Sequence, residues 1–100
     1  MHVISLKPII DFIRQHPTAK SSLDSWYDIV KKNKFSNIHE LKMTFSSADV
    51  VKNKKGDSLT IFNIHGNEVR LIAIIHYNTG KLRITHVLTH AEYDKEKWKT

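Results

Sequence analysis

Apolar positions along this chain repeat with two different periods. Between residues 18 and 32 they fall at Leu23, Trp26, Tyr27 and Val30, the i, i+3, i+4, i+7 spacing of a helix that buries one stripe. From Ser58 onward the period shortens. Residues 59–64 form a short apolar and β-branched run. Residues 68–77 carry Val69-Arg70-Leu71-Ile72-Ala73-Ile74-Ile75, a near-continuous apolar run that predicts a strand buried on both faces and therefore central in its sheet. Residues 81–86 alternate, which predicts Leu82, Ile84 and His86 on one face and Lys81, Arg83 and Thr85 on the other. His65-Gly66-Asn67 and Asn78-Thr79-Gly80 separate these runs. Gly and Asn accept the positive φ that tight hairpins require.

The rest of the chain fits around these elements. Residues 2–5 are β-prone and are expected to join the same sheet. Pro8 suits the first turn of a helix, where its missing N–H costs nothing. Ile9, Ile10, Phe12 and Ile13 give that helix an apolar face, and Pro17 breaks or restarts it. Over residues 35–45 the pattern is ambiguous: Ser36 is a candidate cap for a short helix carrying Ile38, Leu41 and Phe45. Val50 and Val51 mark a further strand start, followed by a basic loop with Lys52, Lys54, Lys55 and Gly56. After the last strand, Thr89 and Glu92 have the spacing of a capping box. Trp98 either packs back on the core or meets a partner. A strand, two helices and then a run of strands predict an α+β domain spanning residues 1–100, with two N-terminal helices on a twisted antiparallel sheet.

Charge changes the picture more than composition does. The net charge is +6, and residues 31–55 hold seven lysines against Glu40 and Asp49, which is five of the six charges. The first thirty residues sum to zero. Such a concentration points to a surface that faces phosphate or an acidic partner. With no cysteine there is no disulfide framework and no thiolate chemistry. No apolar run is long enough to span a bilayer. The N-terminus lacks the pattern of a signal peptide, so a cytoplasmic location without membrane association is expected.

Seven histidines invite a metal, but no two lie two, three or five residues apart, so no metal and no cofactor are expected. No phosphate-binding glycine loop, nucleophile elbow or carboxylate pair is present. What remains is a set of cationic and phenolic groups: Lys52, Lys54, Lys55, Arg70, Arg83, His90, Tyr93 and Lys95. Arg70 stands out as a permanent cation in the most apolar strand. It requires a carboxylate (Glu68 or Asp94), an exposed strand end or a ligand. Arginine and lysine stabilise charge on phosphate oxygens, and histidine or tyrosine moves the proton, so the set suits work on a phosphodiester.

The pattern Phe62-Asn63-Ile64-x-Gly66-Asn67-x-x-Arg70-Leu71, followed by Val87-x-Thr89-His90-x-x-Tyr93-Asp94, resembles the HigB-type toxins of bacterial toxin–antitoxin systems, within the RelE superfamily. The resemblance implies a microbial-RNase-like fold and a ribosome-dependent mRNA interferase. Such an enzyme enters the ribosomal A site and cleaves translated mRNA by attack of the 2′-hydroxyl, without a metal. It also implies a HigA-type antitoxin as partner, with operator DNA reached only through that antitoxin. By the same resemblance, Arg70 contacts the scissile phosphate and His90 and Tyr93 transfer protons. Lys52, Lys54, Lys55, Arg83 and Lys95 bind RNA. A cleaving toxin requires Arg70, His90 and Tyr93 to converge beside the lysines. The alternative is a non-cleaving inhibitory module of the same fold that acts through its basic surface. It predicts that the three disperse, or that Arg70 is locked in an internal ion pair.

Overall fold

The structure is a computed structural model that describes all 100 residues. Its elements are β1 (His2–Ile4), α1 (Lys7–Gln15), α2 (Lys20–Lys32), α3 (Ile38–Thr44), β2 (Asp49–Lys52), β3 (Ser58–Ile64), β4 (Val69–His76), β5 (Lys81–Thr89) and α4 (His90–Asp94). The strands form one sheet in the order β1-β5-β4-β3-β2, so the apolar β4 is central, as its composition demands. β2 to β5 are antiparallel, but β1 runs parallel to β5, which makes the sheet mixed. The chain leaves β1 through helices and returns to the sheet at its far edge, and long crossovers of this kind permit parallel neighbours where hairpins do not.

One face of the sheet is covered. α1 brings Ile9 and Phe12, α2 brings Leu23, Trp26 and Val30, and α3 brings Leu41. They pack on Phe62, Ile64, Val69, Leu71, Ala73, Leu82, Ile84 and Val87 of the strands. Trp26 meets Phe62 edge-on at 5.3 Å, so the α2 aromatics serve the core. The cap of α3 is Asn37 rather than Ser36: Asn37 Oδ1 accepts from the Glu40 amide at 3.0 Å. The Ser36 amide lies one position out and donates to the Glu40 carboxylate at 2.9 Å.

The β3–β4 turn needs its residue types. His65, Gly66 and Asn67 all have positive φ, at 56°, 60° and 71°. His65 is tied down by Ser22 Oγ of α2, 3.0 Å from its Nδ1. β5 departs from simple alternation, because a bulge between Ile72 and Ala73 of β4 leaves Thr85 as an extra residue. Ala73 lies opposite Ile84, yet Ile72 lies opposite His86. His86 therefore does not share a face with Leu82 and Ile84, as strict alternation would require. The bulge sets it on the open face. No helix is long and apolar enough to cross a membrane.

Candidate active site

The open face of the sheet is closed by the end of the chain. Leu59, Ile61 and Ile72 are buried there under Trp98, with Val51, Ile74, Leu88 and Tyr93 packed around them. Trp98, 4% exposed, thus packs back on the domain. Its route is set by the start of α4. Thr89 Oγ1 accepts from the Glu92 amide at 3.2 Å and Glu92 Oε1 accepts from the Thr89 amide at 3.0 Å, the capping box read from the sequence. The His90 amide donates to the Glu68 carbonyl at 3.0 Å, which anchors α4 beside the β3–β4 turn. The Lys54 amide donates to the Lys99 carbonyl at 2.9 Å, which pins the basic β2–β3 loop to the C-terminus.

Arg70 and Tyr93 meet on this face. The guanidinium carbon lies 5.4 Å from the centre of the Tyr93 ring. The same ring stacks on Trp98 at 4.9 Å, only 11° from parallel. Trp98 Nε1 donates to the Tyr93 carbonyl at 2.8 Å, and Lys99 Nζ lies 5.5 Å from the Trp98 ring. Two cations thus lie close to a pair of stacked rings, an arrangement that ring quadrupoles favour. Arg70 Nη1 donates to the Asn67 carbonyl at 2.6 Å, which directs the head group toward the turn.

Arg70 makes no salt bridge. Both carboxylates that the sequence nominates for it are paired with histidines. Glu68 faces His65 Nε2 at 3.5 Å, and Asp94 faces His90 Nδ1 at 2.9 Å. A half-buried arginine with one donor on a backbone carbonyl and none on a carboxylate suits an incoming phosphate. The His90 contact also has chemical meaning. A carboxylate on Nδ1 favours the tautomer with hydrogen there, leaving Nε2 as an acceptor on an exposed ring.

The cations fall into groups. Lys54 and Lys55 occupy the loop held against the C-terminus, and Lys95 borders a cleft beside Trp98. Lys52 pairs in register with Ser58, on the face that carries Thr60 and Phe62, and so points away from Arg70. Arg83 shares the open face but lies opposite Ile74, about 13 Å along the strand from the Arg70 position. Three residues of this face escaped the sequence reading of the site. They are Trp98, whose destination was open; Asp94, considered only as a partner of Arg70; and His86, placed on the wrong face. The i, i+4 spacing of His90 and Asp94 was the available signal. No three His, Asp or Glu side chains cluster in a way that would hold a metal ion.

Comparison with known proteins identifies the family. The profile of the HigB toxins, described as the RelE-like toxic component of a toxin–antitoxin system, matches residues 19–96. The mRNA interferase HigB of Escherichia coli O6:H1 is 32% identical over 95 residues, 95% of this chain and 90% of that protein. The mRNA interferase toxin HigB of Escherichia coli K12 is 34% identical over 94 residues, 94% of this chain and 88% of that protein. The mRNA interferase HigB of Shigella flexneri matches to the same extent, at 34% over 94 residues. With a family match over more than three quarters of its length and relatives above 30% identity along nearly all of it, the chain belongs to the HigB family of RelE-like toxins.

Proposed function

We propose that this toxin is a ribosome-dependent mRNA interferase that works without a metal and is neutralised by a HigA-type antitoxin. The observation that carries the reading is Arg70, a permanent cation with no acidic partner, resting on the Tyr93 ring. The relatives named mRNA interferases support the reaction class. In the reaction, the ribose 2′-oxygen bonds to phosphorus and the bond to the 5′-oxygen breaks. The products are a 2′,3′-cyclic phosphate and a 5′-hydroxyl end. Arg70 binds the phosphate oxygens and stabilises the charge that builds on them. His90, oriented by Asp94, takes the 2′-proton at Nε2, and the Tyr93 hydroxyl supplies a proton to the departing oxygen. RNA provides the nucleophile, so no metal-activated water is needed. Lys54, Lys55 and Lys95 attract the strand electrostatically, with Arg83 and Lys52 at its periphery.

The non-cleaving reading requires either dispersed residues or an internally paired Arg70. Arg70 and Tyr93 are adjacent and Arg70 has no carboxylate on it, which favours cleavage; His90 begins the helix that carries Tyr93 but contacts Asp94 rather than either of them. The test is induced expression of wild type, Arg70→Ala and Tyr93→Phe, with primer extension on a translated reporter. New 5′ ends inside the reading frame, absent in the variants and when translation is blocked, are expected. Growth arrest without new ends would replace this reading with a non-cleaving inhibitor. Cleavage of naked RNA at the same rate would remove the ribosome from it.

A further inference from the structure

The β3–β4 turn holds two of the candidate catalytic residues by consecutive carbonyls. Arg70 Nη1 donates to the carbonyl of Asn67 at 2.6 Å, and the His90 amide donates to the carbonyl of Glu68 at 3.0 Å. Arg70 stands in β4 and His90 opens α4, so these two bonds set how the guanidinium and the imidazole lie relative to each other. A shift of the turn moves both.

The turn itself is an unfavourable shape held from outside. His65, Gly66 and Asn67 take positive φ in succession, and at His65 the value of 56° puts a bulky side chain on a left-handed backbone. Such a conformation persists where its surroundings over-determine it, and it gathers at functional sites. Two groups surround the His65 ring. Ser22 Oγ, in the first turn of α2, lies 3.0 Å from Nδ1, and the Glu68 carboxylate lies 3.5 Å from Nε2. A carboxylate only accepts, so the hydrogen sits on Nε2, and Nδ1 accepts from the Ser22 hydroxyl. Glu68 is open to solvent and its contact is long, which makes Ser22 the firmer hold. The Ser22 bond is also the one side-chain hydrogen bond between the turn and the helical layer.

We propose that His65 is a positioning residue of the interferase: braced on Ser22, its ring fixes the β3–β4 turn, and the turn holds Arg70 and His90 in register for attack on the phosphate. This role rests on the interferase reading above, and it assigns a part to two residues that touch no substrate. One hydrogen bond and two carbonyls then join α2, on the covered face, to the chemistry on the open face. Misplacing a reacting group by about 1 Å costs about a hundredfold in rate. Loss of the brace leaves the rest of the hairpin paired, so the cost should be smaller, about tenfold in kcat. KM should stay within about twofold, because the lysines that attract the strand lie elsewhere.

The test measures cleavage by the full chain on ribosomes programmed with one message. His65→Gly removes the ring at a position where glycine accepts the same φ, so the fold should hold. Its kcat per folded molecule should fall about tenfold, with KM within about twofold of wild type. Ser22→Ala should act in the same way, and the double variant should be no worse than His65→Gly alone, because both changes remove one contact. His65→Asn tolerates positive φ and sets an amide atom where Nδ1 lies, so it should recover kcat to within about threefold of wild type. Unchanged kcat in His65→Gly, or costs that multiply in the double variant, overturns the brace. Amide hydrogen exchange separates this from failure of the interferase reading. In His65→Gly the His90 amide should exchange about tenfold faster, while Val87, paired with Leu71 inside β5, keeps its rate. That result in a protein that cleaves nothing keeps the brace and discards the interferase. An unchanged His90 rate discards the brace whatever the activity.

Discussion

The two faces of this sheet use the same strands for different purposes. The covered face closes on a cluster of seventeen buried residues supplied by three helices, their loops and three strands. The open face closes on four, one of which, Trp98, comes from the last turn of the chain. On the covered face the buried cluster is apolar, with Thr60 the one buried polar residue beside it, and the helices are held by periodic stripes. On the open face Arg70, Tyr93, His86 and the lysines surround a small apolar floor. Arg70 and Leu71 are adjacent in β4, yet one lies on each face, so the alternation of a single strand separates the chemistry from the stability.

That contrast is sharpest at those two positions. Arg70→Ala should lower reporter cleavage by about a hundredfold or more while changing unfolding stability by about 1 kcal/mol or less. Leu71→Ala should do the reverse, costing about 3 kcal/mol in urea denaturation because Leu71 is fully buried, with normal cleavage per folded molecule. If Arg70→Ala unfolded the protein, or Leu71→Ala cleaved poorly while folded, the division between the faces would not hold.

Trp98 joins the two properties on the open face and should show an intermediate effect. Trp98→Ala removes the ring under Tyr93 and the hydrogen bond to its carbonyl, so cleavage should drop about tenfold and the segment after Asp94 should become sensitive to protease. Trp98→Phe keeps a ring for stacking and should recover part of the activity. Equal loss in both variants would show that packing volume, not the stack, is what matters.

The smallest expected effect is on pH. The His86 pKa in the fold lies below its unfolded value because burial disfavours the charged ring. The unfolded chain therefore binds the proton more readily. His86 then contributes a loss of stability as pH falls through the ordinary histidine range toward its folded pKa, and no change above that range. His86→Gln should flatten this part of the stability curve between pH 7.5 and pH 5 in denaturant titrations. An unchanged slope would mean that other groups set it.

Much of the covered face was legible in the chain. The stripe Leu23, Trp26, Val30 is a local period, and all three residues are buried. The central place of β4 follows from an apolar run too dense for an edge. The β3–β4 turn follows from residues that accept positive φ, and the Thr89–Glu92 box from a three-residue spacing. The open face was legible only in its chemistry. Arg70 stood out as a charge in an apolar strand, and His90 and Tyr93 through the resemblance to the toxin family, but their partners did not. Glu68 stands two residues from Arg70 and three from His65, and no local rule chooses between them; only the i, i+4 spacing of His90 and Asp94 carried a local signal.

The sequence by itself determined the elements, their order, the turn positions and the helix-covered core, because each depends on contacts or dihedral angles within a few residues. Tertiary structure decided the parallel return of β1 beside β5, the bulge that carries His86 to the open face, and the docking of Trp98 on Tyr93. It also decided that both nearby carboxylates serve histidines and leave Arg70 without one. These outcomes rest on register between strands and on small energy differences among competing partners. They are settled only when distant parts of the chain meet.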